Sequence, residues 1–449
     1  MRITNELESI DTKKYKKTEL GFLPVEWNLM RLYEIGDIVT GSTPNTKIVD
    51  YYGGDYLFVT PGDISDKKYV SDTEKKLTKK GFDVSRKIPK NSIMVTCIGY
   101  IGKIAMTDRE VTTNQQINSI IPNKGIISDY IYYSLDYYFN RSKNRVIEHQ
   151  VVPIINKTKF SHFLLPIPSI FEQQKIADIL STWDKAIELK EKLIEQKKEQ
   201  KKGLMQLLFT GIIRVNEVDR INGEQLKKRI ELIKRGLIPD GYKATKLGII
   251  PAEWRVVHLK EKFQRLTRKN NINNTNVLTI SAQHGLISQG NFFNKSVASE
   301  NLSNYYLLKK GDFAYNKSYS NGYPYGAIKV LEQYESGVVS PLYICFSPKE
   351  ENKCPEFYKY YFDAGFLNRE IHAIAQEGAR NHGLLNISVD DFFNTYIVDM
   401  DEQEMKQITD IVSIAIKEIK LLEQHLESLK QQKKGLMQLL LTGKVRVKC

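Results

Sequence analysis

Several things are missing from this 449-residue chain, and each absence removes a class of function. No apolar run approaches the roughly 18–20 residues that a membrane-spanning helix needs, so none is expected. The opening residues, MRITNELESIDTKKYKK, lack the apolar core of a secretory signal. The four cysteines, Cys97, Cys345, Cys354 and Cys449, are scattered and form no C-x-x-C, which argues against a disulfide framework and a cysteine-based zinc site. A cytoplasmic, reducing location is expected. No G-x-G occurs, so neither a dinucleotide loop nor a usual methyl-donor loop is visible, and no G-x-x-x-x-G-K-[ST] phosphate loop occurs. Pro-Pro is absent, and with it any N-P-P-Y-like loop of an amino-methyltransferase. The seven histidines make no H-E-x-x-H, and there is no G-x-S-x-G. One nuclease-like cluster survives, Asp63 with Glu74 and Lys75, since two acids and a lysine can hold a metal and activate water. The second half of the chain has no counterpart to it.

What is present is an excess of base: 66 Lys+Arg against 53 Asp+Glu, a formal net charge of +13. A polyanionic partner is the first implication, although a basic surface also serves solubility. The length implies two or three domains.

The chain repeats itself. YKKTELGFLPVEWNLMRL (15–32) and YKATKLGIIPAEWRVVHL (242–259) share nine of 18 residues at an offset of 227. KKGLMQLLFTGIIRV (201–215) and KKGLMQLLLTGKVRV (433–447) share 12 of 15 at an offset of 232. Two such matches in the same order identify a tandem duplication. The residues between the matched blocks diverge much more. Constant ends with divergent middles suggest one framework carrying two different readers.

From Phe171 the pattern turns helical. Ile176, Leu180, Trp183, Ile187 and Ile194 form a seam, and Ile408, Val412, Ala415, Ile419, Leu422, Leu426 and Leu429 repeat it 232 residues later with an unbroken four–three alternation. Lys190 and Lys197 stand in the first copy where Leu422 and Leu429 stand in the second. Packing the two helices on each other is the simplest way to bury both seams. Helices of about 35–38 residues would each span about 55 Å. Gly203 and Gly435 are expected to break them, leaving LMQLL as a last apolar turn that could dock a partner chain. The connector is expected to hold a short helix, Glu224 to Arg235, ended by Gly236 and Pro239.

The middles, 20–165 and 247–398, read as short strands with few helices. Strand signals include YLFVT (56–60), INSIIP (117–122) and YLLKKGDFAY (306–315), and helix signals are Asp129 to Asn140 and Pro355 to Phe366. Several loops carry side chains able to read base edges or phosphates. In the first half these are Ser42, Thr43, Lys47, Lys103, the turn Asn114-Gln115-Gln116, and Arg141, Lys143, Arg145, His149 and Gln150; Asn114 and Gln115, flanked by strand residues, have structural hydrogen bonding as the alternative. In the second they are Gln283, His284, Lys317, Tyr319, Asn321, Tyr323, Arg380, Asn381 and His382. His149-Gln150 and Asn381-His382 fall opposite one another at the repeat offset.

Taken together, TGSTPNTK (40–47), YYGGDYLFVTPGDIS (51–65), IGYIGKIAM (98–106), TTNQQINSIIP (112–122) and LPIPSIFEQQKIADIL (165–180) resemble the specificity subunit of type I restriction–modification systems. The openings ELGFLPVEW and KLGIIPAEW share the resemblance, while the second middle departs from it with VLTISAQHGLIS (277–288). The resemblance implies an α+β fold: two mixed, mostly β target-recognition domains, separated by two long antiparallel coiled-coil helices in a pseudo-twofold tandem repeat. It divides the chain into an arm (1–19), a first recognition domain (20–170), a first long helix (171–210), a connector (211–241), a second recognition domain (242–400) and a second long helix (401–449). It further implies a non-catalytic chain whose two domains each read half of an asymmetric, interrupted site on double-stranded DNA. The helices would set the gap and dock two methyltransferase subunits. S-adenosylmethionine, ATP and Mg would belong to those subunits and to the motor/nuclease subunits, with no cofactor or metal on this chain. Two other readings stay open: a single-chain restriction nuclease with a metal centre, and a coiled-coil scaffold whose β domains bind proteins.

Overall fold

The computed structural model describes residues 14–142, 153–218, 220–281, 285–292, 301–318, 323–350, 352–375 and 385–447. The chain separates into two compact units, Met1–Lys192 with Glu423–Cys449, and Leu193–Leu422.

Each unit is built on the same frame. In the first, the antiparallel strands Gly36–Thr40, Ile117–Pro122, Ile93–Thr96 and Ile104–Met106 lie side by side in that order. In the second, Phe263–Arg265, Ile344–Pro348, Phe313–Asn316 and Ala327–Val330 repeat the order and the directions. A hairpin opens each frame, Tyr15–Thr18 with Gly21–Pro24 and Tyr242–Thr245 with Gly248–Pro251. A two-stranded ladder closes each, Asn28–Arg31 with Leu164–Ile167 and Arg255–His258 with Tyr396–Asp399. The strands Ile93–Thr96 and Ile104–Met106 are buried at every position, as a sheet covered on both faces requires.

Each frame carries an added layer of strands. The first unit adds a second four-stranded sheet, Lys76–Leu77, Tyr52–Val59, Val111–Thr113 and Lys87–Ile88, with one parallel pair. The second adds the pairs Leu278–Ser281 with Gly285–Ser288 and Tyr306–Lys309 with Ser336–Val339, joined by a parallel bridge between Val277 and Val338 that matches the parallel pair of the first unit. The run 306–315, expected as one strand, is therefore two strands in different sheets. Gly311, at φ 89°, makes the turn between them, and Asp312 fixes it by accepting the Lys309 amide at 2.7 Å.

Helices fall close to their expected places. Ser128–Ser142 and Pro355–Asp363 cover the frames, and the connector helix Gly223–Lys234 is capped by the Asn222 side chain. The two long helices, Ile170–Phe209 and Glu402–Leu441, are 40 residues each, about 60 Å at 1.5 Å per residue.

Two helix expectations are corrected. Neither Gly203 nor Gly435 breaks its helix. An exposed interior glycine costs a helix only about 1 kcal/mol relative to alanine, less than burying one leucine returns. That burial follows immediately. Met205, Leu208 and Phe209 sit in the core of the second unit, and Met437, Leu440 and Leu441 in the core of the first. The LMQLL segments therefore feed Met205, Leu208, Met437 and Leu440 into the cores, while Leu439 stays exposed.

The seam is legible in the burial. Ile176 and Leu180 enter the first core, and Ile408 and Val412 the second. Ile194 and Ile419 are buried, while Trp183, Ile187, Ala415, Leu422, Leu426 and Leu429 are half-buried. In the first unit Asp184 pairs with Lys433 at 2.5 Å and Glu191 with Lys430 at 2.6 Å. One sequence number rises as the other falls, so these helix halves run antiparallel. In the second, the seam lysine Lys197 reaches Glu418 at 2.7 Å, which lets a cation occupy a position where its partner copy has leucine.

The repeated sequence blocks meet at one node per unit. Glu172, nearly fully buried, accepts the Trp27 indole N–H at 3.0 Å and the Arg446 guanidinium at 2.7 and 3.0 Å. Arg446 also donates to Glu26 at 2.6 Å. In the other unit Glu404 accepts Trp254 at 3.0 Å and Arg214 at 2.6 and 2.9 Å, and Arg214 reaches Glu253 at 3.0 Å. The Glu172 carboxylate raises the pKa of Arg446, and that of Glu404 raises the pKa of Arg214. Beside each node a tyrosine hydroxyl bonds a glycine carbonyl, Tyr15 to Gly443 and Tyr242 to Gly211. A Cβ on Gly443 would stand 2.3 Å from Pro24 Cγ, and one on Gly211 2.4 Å from Pro251 Cδ. These contacts explain the repetition of P-x-E-W and T-G-x-x-R-V: each supplies one side of the same joint.

Replacing Glu172 with Ala strands the Trp27 N–H and most of the Arg446 charge. With Arg446 partly exposed, a loss of about 2–3 kcal/mol is expected, and a similar loss for Glu404→Ala in the other unit. Chemical denaturation of the two variants checks this; unchanged midpoints would mean the node is ornamental.

Candidate nucleic-acid interface

The frame gathers the predicted loops at one end of its sheet. Thr40 pairs with Asn118, and Ile117 with Thr96, so three strand ends lie together. From them emerge Gly41-Ser42-Thr43, the turn Asn114-Gln115-Gln116, and the hairpin Cys97–Lys103. Backbone bonds tie these together: Gly41 N to Ile117 O, Ser42 N to Thr113 O, and Cys97 N to Gln116 O. Ile155 N bonds Cys97 O and Gly99 N bonds Pro153 O, so the chain leaving residues 143–152 joins the same end.

The second unit repeats the arrangement. Its hairpin after Phe313–Asn316 carries Lys317, whose backbone carbonyl accepts the Leu385 amide and whose ammonium lies 3.4 Å from Ile387 O. The chain leaving residues 376–384 thus joins the hairpin as its counterpart does in the first unit. Lys317 also lines a small cleft of about 70 Å³ with Arg265, Tyr306 and Tyr343. Tyr323 lines a larger cavity of about 210 Å³ with Tyr315, Tyr325, Asp363 and Asn368.

The predicted residues that are described take different parts. Ser42 Oγ accepts the Arg86 amide at 3.0 Å, and the Thr43 hydroxyl donates to Gln115 Oε1 at 2.6 Å. The Lys47 backbone N–H closes a turn onto Asn45 Oδ1, and the Lys47 side chain is left exposed. Lys103, exposed overall, lays its ammonium on the carbonyls of Pro61 and Ile64 at 3.3 and 2.9 Å, where it fastens a loop. Arg141 lies over the Tyr137 ring at 4.0 Å and donates to its hydroxyl at 2.6 Å, an ordered and exposed guanidinium. Lys143, Arg145, His149, Gln150, Gln283, His284, Tyr319, Asn321, Arg380, Asn381 and His382 lie outside the described residues.

Two residues at this end were not singled out by sequence. Tyr100 stands 78% exposed at a hairpin tip between Gly99 and Gly102, both at positive φ. That glycine spacing was the available signal. Arg86 arrives from 44 residues beyond Ser42 and had none. Not every cation is free for a polyanion: Lys68 is enclosed by Asp129, the Tyr133 hydroxyl and Ser181, against the faces of three tyrosines.

The nuclease-like cluster has a structural task. Asp63 Oδ2 accepts the Thr60 amide at 2.8 Å and its hydroxyl at 2.7 Å, and Oδ1 accepts the Glu74 amide at 2.8 Å. Its lone pairs organise two turns of chain. Among the described residues no group of three His, Cys, Asp or Glu could hold a metal ion, and no helix is long and apolar enough to cross a membrane. Burial pushes the thiols of Cys97 and Cys345 up to about 12, far from the thiolate that attacks a substrate.

Asp63→Ala is expected to cost about 1–3 kcal/mol through its orphaned amides, and the melting midpoint of the unaltered chain should ignore EDTA and Mg²⁺. Thermal melts with each additive test this; a shift with Mg²⁺ that Asp63→Ala abolishes would restore the metal reading.

Residues 24–198 match the family model described as Type I restriction modification DNA specificity domain. The chain is 32% identical over 245 residues to the Type I restriction enzyme MjaIX specificity subunit of Methanocaldococcus jannaschii, covering 53% of this chain and 54% of that protein. The match thus spans about half of that relative's length. The MjaVIII specificity subunit of the same organism is 24% identical over 455 residues, 95% of this chain and 94% of that one. A solved structure titled for complex assembly and conformational transition of the type I R-M system superposes with a TM-score of 0.52 at 13% identity, covering 94% of this chain and 99% of that chain. The last comparison speaks for the fold alone. Residues 24–198 thus match a type I restriction–modification DNA specificity domain, and the chain as a whole is similar to the specificity subunits of such systems.

Proposed function

We propose that each unit reads one half of an asymmetric, interrupted site on double-stranded DNA through the loop end of its frame. The observation that carries this is the pairing of sameness and difference. Two frames agree strand for strand, while the loops at one equivalent end differ in sequence. Two readers of different bases, built from one duplicated unit, need that combination. Lysines and arginines would supply salt-dependent phosphate contacts, and the polar tips base choice.

The long helices would set the gap between half-sites. Half-sites one DNA turn apart are separated by about 34 Å, within the reach of a 40-residue helix. The chain would not be an enzyme by itself. It would dock two methyltransferase subunits carrying S-adenosylmethionine, and motor/nuclease subunits with ATP and Mg would complete a restriction complex.

Co-expression with the methyltransferase subunit, in a host lacking adenine methylation, should yield methyladenine at one interrupted motif that disappears without this chain. Long-read methylome mapping reads both half-sites at once. A methylome indifferent to this chain, with the complex assembled, would overturn the proposal. Arg380→Ala or Asn381→Ala should then relax one half-site and spare the other; equal loss at both would remove those residues from recognition.

A further inference from the structure

The turn Asn114-Gln115-Gln116 disposes of its three amide side chains unequally. Asn114 Nδ2 donates to Gln116 Oε1 at 2.9 Å, and Asn114 Oδ1 accepts the Gln116 backbone amide at 3.1 Å. Both residues are half-buried and occupied with each other, while Gln115 between them is exposed. Its only partner among the described residues is the Thr43 hydroxyl, which donates to Oε1 at 2.6 Å. One lone pair of that oxygen and both hydrogens of the Nε2 amide are left over. The side chain is therefore held at its carbonyl and open on an acceptor and a donor side by side.

The mount beneath it is rigid. Gly41 brings the Thr43 turn against this one: a Cβ there would stand 2.2 Å from Thr113 Oγ1 and 2.3 Å from Asn114 O. Ser42 N bonds Thr113 O, and Asn114 N bonds Val59 O, so both turns are fixed to the strands behind them. Arg86 borders the same turn, its amide on Ser42 and its Nη1 on the Thr40 carbonyl at 2.8 Å. An exposed glutamine ordinarily samples many rotamers, and ordering it on binding costs free energy. Here Thr43 has restricted it beforehand.

An acceptor beside a donor is the complement of adenine in the major groove, whose N6 amine donates and whose N7 accepts. We infer that Gln115, positioned by Thr43, reads an adenine in the half-site of the first unit. This rests on the DNA-specificity reading and names one of its contacts. Thr43 acts as a positioning residue, through the orientation of Gln115.

The test is the methylome of the assembled complex, with wild type beside Gln115→Ala, Gln115→Glu, Thr43→Val and Thr43→Ser. Gln115→Ala should turn one A·T pair in one half-site degenerate, with a preference loss of roughly 10- to 100-fold, and leave the other half-site intact. Gln115→Glu presents only acceptors and should move the preference at that pair from adenine towards cytosine. Thr43→Val should blur the same pair, and Thr43→Ser should restore it, a pattern that simple loss of fold would not give. Three results overturn the inference while sparing the wider reading: an unchanged motif in Gln115→Ala, degeneracy in both half-sites, or methylation lost everywhere with the complex intact by size-exclusion chromatography. A wild-type chain that confers no motif overturns both.

Discussion

The structure depends on a buried carboxylate that no nearby sequence can satisfy. Glu172 starts a long helix, and its charge is answered by an arginine 274 residues away and an indole 145 residues back. A desolvated carboxylate without such partners would cost several kcal/mol, so the fold holds only if these three distant segments converge. Glu404 imposes the same condition on the second unit. The end of each long helix, with its buried Met, Leu and Phe or Leu, is thereby committed to the interior of a domain that its own half of the sequence does not encode.

This division of labour leaves one end of each sheet free to vary. The core is secured by the frame strands, the opening hairpin and the node, none of which includes the loops at residues 41–43, 97–103 or 114–116. Thr43, Tyr100 and Gln115 are exposed, so changing them alters few buried contacts, whereas Cys97 belongs to the core and Gly41 is tightly packed. The second unit keeps the strand order of the added layer, but a single bridge, Val277 with Val338, joins its two pairs.

Much of this was legible in the sequence, for identifiable reasons. Helical periodicity is strong over 40 residues, and the duplication served as its own control, each helix locating the other. The strand Ile117–Pro122 and the helix beginning at Pro355 carry clear local signals. The fate of Gly203 was misjudged because glycine propensity is local, whereas the burial of Met205 and Phe209 that overrides it is tertiary. Lys103 has the composition of a DNA contact, yet its ammonium serves two carbonyls 39 and 42 residues away. Arg86 could not be found because its neighbours Thr40 and Ser42 are adjacent only after folding. Polar tips between strands are visible in the sequence; that the turns at 41–43 and 114–116 lie at one end of the sheet follows only from the register.

The node also has a bearing on synthesis. A ribosome delivers the first domain and Glu172 long before Leu440, Leu441 and Arg446 exist. Until those residues emerge, the first core lacks part of its apolar lining and its carboxylate lacks its cation, so closure waits on contacts of very high sequence separation. A chain terminated early would display the unfilled ledge and be a natural target for proteolysis. The first domain is thereby held open until residues 433–447 supply the other side of the joint.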